Sequence, residues 1–168
     1  MAVREVLRFP HSLLKREARA LGPEELEEAE RVGRDLLDTM HSFPRCVGIA
    51  APQISELVRI VVVDVTDHPK ATTCNGELVL VNPRVVSSSG AEVAREGCLS
   101  IPDLTANVRR ATHAAIEATE PGGGTRTIDS EGFEARCLLH ELDHLDGILF
   151  LDRVDSLKTD VFRRKRYA

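Results

Sequence analysis

C-L-L-H-E-L-D-H-L-D-G, which runs from Cys137 to Gly147, is the stretch that decides the fold of this chain. Leucines recur in and just after it at intervals of four, three and four residues, and this spacing predicts a helix: Leu138, Leu142, Leu145 and Leu149. Leu139 adds apolar surface on another side. A helix that is apolar over so much of its circumference is expected to lie buried in the protein.

The same stretch contains H-E-x-x-H, with His140 and His144 four positions apart. On a helix this spacing places both imidazoles on one face, one turn apart, where they can bind a single metal ion. Glu141 is then expected to act as a general base on an attacking water and not as a ligand. Two hydrogen-bonded core histidines are the alternative, but buried groups of this kind need partners, and a metal supplies them. Zinc is the usual metal, and iron, nickel and cobalt also accept imidazole.

A catalytic metal usually takes a third protein ligand, and two cysteines are candidates for it. Cys137 precedes His140 by three residues and so falls on roughly the same helix face. Cys98 lies in R-E-G-C-L-S-I-P, where Gly97 allows close backbone approach and Ile101-Pro102 indicates the end of a strand. Spacing alone leaves both cysteines open, and either could instead be a small buried apolar residue.

Three segments occur in a characteristic order: C-V-G-I-A-A-P-Q at 46–53, E-G-C-L-S at 96–100 and L-H-E-L-D-H at 139–144. Together with V-N-P at 81–83 and Arg110, they resemble the bacterial-type peptide deformylase family over nearly the whole chain. Two positions depart from the family pattern. Cys46 stands where the family usually has a glycine, which affects the expected shape of the substrate groove. Leu139 stands where the family usually has a glutamine, which affects the hydrogen bonds around the metal ligands.

The resemblance implies an enzyme that removes the N-formyl group from N-formylmethionyl nascent peptides and releases formate. It implies one divalent metal per chain, Fe²⁺ above all, with Ni²⁺, Co²⁺ or Zn²⁺ as substitutes. The implied metal ligands are Cys98, His140 and His144. The implied catalytic residues are Glu141, Gln53 and Leu99, and the implied substrate-binding residues are Gly48, Val47, Glu96 and Arg110.

The resemblance also assigns a role to the catalytic residues. Glu141 accepts the proton of the attacking water and delivers it to the departing amine. The side-chain amide of Gln53 and the backbone N–H of Leu99 stabilise the oxyanion. Gly48 lets a peptide backbone lie close to the metal, and Arg110 steers the peptide chain.

Length and composition favour a small cytoplasmic enzyme. The chain has 168 residues, which predicts one catalytic domain spanning 1–168, and its 42% hydrophobic and 29% charged content is ordinary for a globular protein. The first residues are charged and lack a long apolar stretch, so no signal peptide or membrane span is expected. In a chain without a secretion signal, the four cysteines are expected to be reduced thiols. A net charge of -5 predicts no general attraction to DNA.

The hydrophobic pattern predicts an α+β fold, with mixed or antiparallel β-sheets packed around a buried C-terminal helix that carries the motif. A helix is expected over 24–41, and strands over 58–65, over 78–81 with an end at Asn82-Pro83, and within 108–119. A turn at 121–124 predicts a hairpin that continues into 125–128. The motif helix is expected to begin near Ser130 or Glu131.

Three alternatives remain open on the sequence. The basic stretch 162–167 is either a solvated helix end or a contact with ribosomal RNA near the exit tunnel. A metallopeptidase would use the same H-E-x-x-H helix, but with a histidine or carboxylate as third ligand. A catalytically silent relative would bind a metal or a formylated peptide without turnover.

Overall fold

A computed structural model describes residues 2–165 as two antiparallel sheets and two α-helices. The strands of the five-stranded sheet lie in the order β1-β2-β3-β6-β7, and those of the three-stranded sheet in the order β4-β5-β8. The helices are α1 (Leu26–His41) and α2 (Gly132–Leu145). The strands are β1 (Gly48–Ala50), β2 (Ile60–Val63), β3 (Leu78–Ser89), β4 (Glu92–Cys98), β5 (Ile101–Arg110), β6 (His113–Thr119), β7 (Thr125–Glu131) and β8 (Val161–Arg163). The predicted α+β class is confirmed.

Helix α1 is amphipathic and covers the five-stranded sheet. Its inward side chains recur at helical spacing, namely Ala29, Val32, Leu36 and Met40, and they pack in one cluster with strand residues such as Ile60 and Val62. The helix begins two residues after the predicted Glu24. Glu27 and Glu28 occupy its first turn, where negative charge is favoured by the helix dipole.

Strand β3 does not end at Asn82-Pro83, as the sequence had indicated, but continues to Ser89. The reason is a bulge: the pairing of β3 with β6 shifts register between Val81 and Arg84. Asn82 adopts a left-handed φ of 50°, and its side chain accepts a hydrogen bond from the backbone N–H of Leu21 and donates one to the Leu21 carbonyl. A proline is tolerated inside a sheet at such a bulge.

The second sheet also differs from the expectation. Ile101 begins β5 and does not end a strand, because Leu99 and Ser100 form a tight turn between β4 and β5. The segment 108–119 therefore contains the end of β5 and the whole of β6. The tight turn matters for the site, since it holds Cys98 at the end of a strand directly beside Leu99.

Helix α2 is buried along nearly its whole length, as predicted. Leu138, Leu142 and Leu145 pack against side chains of β2, β6 and β7. The helix ends at Leu145, and Gly147 follows with a left-handed φ of 72° that suits a helix terminus. Leu149 therefore lies beyond the helix, in a separate core cluster that also contains Cys98. This second cluster packs the end of β4 and the inner side of β5 against the segment that follows α2.

Within residues 2–165 no helix combines the length and the apolar character needed to cross a membrane. Arg166 and Tyr167 of the basic stretch lie outside the described residues. Of the described part of that stretch, Phe162 and Arg163 belong to β8 and the next two residues follow it, so no helix ends there.

Candidate metal centre

The structure brings Cys98, His140 and His144 together as a buried cluster. The ligand atoms that these three side chains offer all lie within 4.8 Å of one another. Cys98 Sγ is 3.4 Å from His144 Nε2, and the two imidazoles stand edge-on with ring centroids 5.2 Å apart. One thiolate and two imidazoles are a donor set that suits Zn²⁺ and first-row transition metals such as Fe²⁺.

An unpaired buried carboxylate oxygen, Glu141 Oε1, supports a metal at this site. In the part of the chain that the structure describes, Glu141 Oε1 and His144 Nδ1 are the buried side-chain atoms without a hydrogen-bond partner. Glu141 Oε1 lies 4.0 Å from His144 Nε2. Unpaired buried groups are costly and call for an explanation. The residues present therefore fit a bound cation with an oxygen ligand next to Glu141.

His140 is oriented by a carboxylate on the neighbouring sheet. Its Nδ1 is 2.8 Å from Glu96 Oε1, which leaves Nε2 for a metal. Arg110 donates to both oxygens of Glu96 at 2.7 and 3.0 Å, and Arg136 donates to one of them at 2.7 Å. Burial alone would raise the pKa of Glu96, but the hydrogen bond with His140 and the ion pair with Arg110 outweigh it and hold that pKa well below its usual range.

The ion-pair network extends from the site to the surface through Asp143 on α2. Arg110 donates to Asp143 Oδ2 at 2.8 Å. Arg153, which is half exposed, donates to both oxygens of the same carboxylate at 2.8 and 3.0 Å. The motif helix is thus tied to the three-stranded sheet by charges as well as by apolar packing.

Glu141 lies beside the cluster without joining it as a ligand. Burial raises the pKa of Glu141 to about 7. Gly48 of β1 makes room for this carboxylate, because a Cβ at residue 48 would lie 2.9 Å from Glu141 Oε2 and 3.1 Å from its Cγ. A carboxylate with a near-neutral pKa beside a metal site is suited to proton transfer.

Gln53 and Leu99 flank the cluster on the side of Cys98. The Gln53 amide nitrogen is 3.4 Å from Cys98 Sγ and 3.0 Å from Ser100 Oγ, while its carbonyl oxygen accepts from the Ala50 N–H at 2.9 Å. The orientation of the amide is therefore fixed by both of its ends. Leu99 follows Cys98 in the tight turn.

A cavity of about 450 Å³ opens next to these residues. Its lining combines apolar and aromatic side chains with the catalytic candidates, and includes Phe43, Val47, Gly48, Gln53, Leu99, Phe133, His140 and Glu141. Arginines contribute to the same lining: Arg45, Arg95, Arg136 and Arg164. A cavity with these properties is typical of a small-molecule or peptide site.

The structure brings together nine of the ten site residues that the sequence indicated. Arg110 is the exception, because it does not line the cavity and its buried guanidinium is engaged by Glu96 and Asp143. Cys137 lines the cavity but is not part of the metal cluster. Sequence reasoning missed Arg136, although its position four residues before His140 places it on the same helix face.

Two thiols of the cavity wall, Cys46 and Cys137, are protected from ionisation. Cys46 donates a hydrogen bond to the carbonyl of Gly48 at 3.1 Å, and burial raises its pKa to about 12. Burial likewise raises the pKa of Cys137 well above its usual value. All four cysteines are free, as predicted.

Comparison with known proteins identifies the family. The model of the family described as Polypeptide deformylase matches residues 3–160. A peptide deformylase of Dictyoglomus thermophilum is 38% identical over 94% of this chain and 98% of its own length, and peptide deformylase 2 of Vibrio cholerae is 37% identical over 98% and 94%. A crystal structure of a peptide deformylase from Legionella pneumophila superposes with a TM-score of 0.83 at 36% identity, covering 94% of this chain and 89% of the other. The chain belongs to the polypeptide deformylase family.

Proposed function

We propose that this protein hydrolyses the N-formyl group of N-formylmethionyl peptides, giving formate and a free amino terminus. The observation that carries the proposal is the convergence of Cys98, His140 and His144 beside Glu141, at the wall of a peptide-sized cavity, in a member of the deformylase family. The cysteine in the cluster separates this reading from a metallopeptidase, which would use a third histidine or a carboxylate.

Cys98, His140 and His144 would hold one divalent cation. When bound, such a cation supplies Lewis acidity and lowers the pKa of a coordinated water. We propose Fe²⁺ as the native metal, with Ni²⁺, Co²⁺ or Zn²⁺ as substitutes, because the family resemblance implies it. Iron beside a thiolate is open to oxidation, so an iron-loaded sample is expected to lose activity in air much faster than a nickel-loaded one. Equal decay would contradict the assignment of iron.

Glu141 is the proton carrier in this proposal. Its carboxylate takes the proton from the attacking water and returns it to the amine nitrogen as the formyl C–N bond breaks. Burial raises the pKa of this carboxyl, which helps it to take up a proton from the water. Gly48 leaves free the space that this carboxylate occupies.

Gln53 and Leu99 would stabilise the oxyanion that forms at the formyl carbon. The Gln53 amide is held by its contact with Ala50, and its N–H groups now face Cys98 and Ser100. We expect the substrate oxygen to replace one of these acceptors, so that the amide needs little reorganisation. The backbone N–H of Leu99 is the second donor.

The peptide would lie between two sheet edges. β1 and β4 are edge strands in the described sheets, and residues of both line the cavity. A bound peptide can add to such an edge by backbone hydrogen bonds, which is the role we propose for Val47 and Gly48. The methionine side chain would enter the apolar part of the cavity near Phe133. Glu96 and Arg110 would act through His140 and Asp143 without touching the peptide.

Two further proposals concern the setting. We propose that the enzyme works in the cytoplasm, where its formylated substrates arise. We also propose that the basic C-terminus lies near the ribosomal exit tunnel, because its arginines and lysine can contact phosphate groups.

The function is tested with metal-loaded protein and a formyl-Met peptide, with formate as the measured product and the acetyl-Met peptide as a control substrate. The parent protein is expected to release formate, and Glu141→Gln is expected to keep its metal and lose about 10²–10⁴-fold in turnover. Absence of formate release, or full turnover by Glu141→Gln, would contradict the proposal.

A further inference from the structure

The three-stranded sheet has an outer face that continues from the cavity. Strand alternation sends Glu96 and Cys98 inward, while Arg95 and Gly97 lie on the opposite side of β4. The same alternation places Thr105 and Asn107 of β5 outward, together with Phe162 of β8 and Arg164 just beyond it. We call these six residues the outer face. Arg95, Gly97 and Arg164 of this face also line the cavity.

Arg95 makes three side-chain contacts on the outer face. Its guanidinium donates to Asn107 Oδ1 at 3.2 Å and to Thr105 Oγ1 at 3.3 Å. The guanidinium carbon lies 3.8 Å from the centroid of the Phe162 ring, a distance typical of a cation–π contact. These contacts place a positive charge at the rim of the cavity.

Arg164 reaches the same rim from the far edge of the sheet. Its backbone N–H donates to the carbonyl of Asp103 at 2.9 Å, and its side chain crosses β5 to lie over Gly97. A Cβ at residue 97 would be only 2.1 Å from Arg164 Nη2, so glycine is what allows the guanidinium to approach β4 beside Cys98. Within residues 2–165 this guanidinium has no hydrogen bond or ion pair, and the exposed carboxylate of Asp103 does not pair with it.

We propose that Arg164, supported by Arg95, binds an acidic side chain of the substrate in the first residues after the formylmethionine. This inference rests on the proposed function and adds that the enzyme prefers substrates with an acidic residue soon after the formylmethionine. A peptide whose formyl group lies at Cys98 must leave the cavity over its rim, where these two arginines stand. The arginines share a cavity with the metal cluster, which favours a peptide over RNA as their ligand.

The test compares formyl-Met-Ala-Glu-amide with formyl-Met-Ala-Gln-amide, since the terminal amide removes the peptide's own carboxylate. The parent protein is expected to favour the acidic peptide by about two- to fivefold in kcat/KM, the range of a solvent-exposed ion pair, and less at high salt. Arg164→Gln should remove this preference through KM and leave kcat unchanged. Arg163→Gln is the matched control, because Arg163 is an exposed neighbour on β8 that does not line the cavity, and it should keep the preference.

Each other outcome has a distinct meaning. Hydrolysis of both peptides with the same ratio in the parent and in Arg164→Gln would overturn this inference and leave the proposed function standing. Hydrolysis of neither peptide by the parent would overturn the proposed function itself. If Arg164→Gln weakens binding of a short RNA hairpin but leaves the peptide ratio unchanged, the outer face binds nucleic acid and the inference is wrong.

Discussion

Replacing Arg110 with leucine should destabilise the protein although Arg110 does not line the cavity. Its side chain is 5% exposed and makes three hydrogen bonds of 2.7 to 3.0 Å to Glu96 and Asp143. Breaking a buried ion pair by removing one partner costs about 3–5 kcal/mol. Glu96 would keep Arg136, and Asp143 would keep Arg153, so we expect a loss near the lower limit, about 3 kcal/mol. In a domain of this size that is a fall of about 6–12 °C in Tm.

The matched control is Arg153→Leu, which removes a partner of the same Asp143 carboxylate. Arg153 is 46% exposed, so its ion pair should contribute less than about 1 kcal/mol. Urea unfolding of both variants and the parent, at equal metal content, measures the difference directly. Equal stability of the two variants, or an Arg110→Leu protein within about 1 kcal/mol of the parent, would refute the reasoning that burial sets the cost.

Three further predictions concern the site itself. Cys98→Ala should lose most of its bound metal, whereas Cys137→Ala should retain it; equal metal content by elemental analysis would refute the ligand assignment. Gly48→Ala should fold and bind metal but lose up to about 10²-fold in turnover, because its Cβ would lie 2.9 Å from an oxygen of the proposed base. Gly122→Ala, in open space, should be fully active, and equal rates for the two variants would argue against the crowding. Burial raises the pKa of Cys46 to about 12, so its thiolate fraction should be negligible near pH 8. Because iodoacetamide alkylates the thiolate, the alkylation rate of Cys46 should rise about tenfold per pH unit up to that pKa. Fast labelling of Cys46 itself in the folded protein at about pH 8, located by peptide mass spectrometry and distinguished from labelling of the exposed Cys74, would contradict this.

The local parts of the site were predictable from sequence. His140 and His144 lie on one helix, so their four-residue spacing fixed their relation before the fold was known. The choice between Cys98 and Cys137 is different in kind. Cys137 is near the histidines in sequence, yet Cys98 is the one that joins them, because the turn after β4 and the core cluster around Leu149 bring it to the helix. Spacing carries no information about such a non-local contact, and only the family resemblance separated the two.

In the fold, too, local features were predictable from the sequence and features that depend on distant residues were not. The periodicity of α1 predicted that helix to within two residues, whereas Asn82-Pro83 suggested a strand end that does not exist. The bulge there is accompanied by two hydrogen bonds between Asn82 and Leu21, which is 61 residues away in sequence. Arg136 was missed for a similar reason, since its importance comes from Glu96 on another strand.

The most direct test of the account is metal removal and restoration in the unmodified protein. The protein is stripped with a chelator under anaerobic conditions and then titrated with Fe²⁺ or Ni²⁺, while formate release from a formyl-Met peptide and metal content are both measured. The account predicts that the stripped protein is inactive and that activity returns in proportion to metal, reaching its limit at one ion per chain. Hydrolysis by the stripped protein, or activity that does not follow occupancy of the Cys98, His140 and His144 cluster, would contradict it.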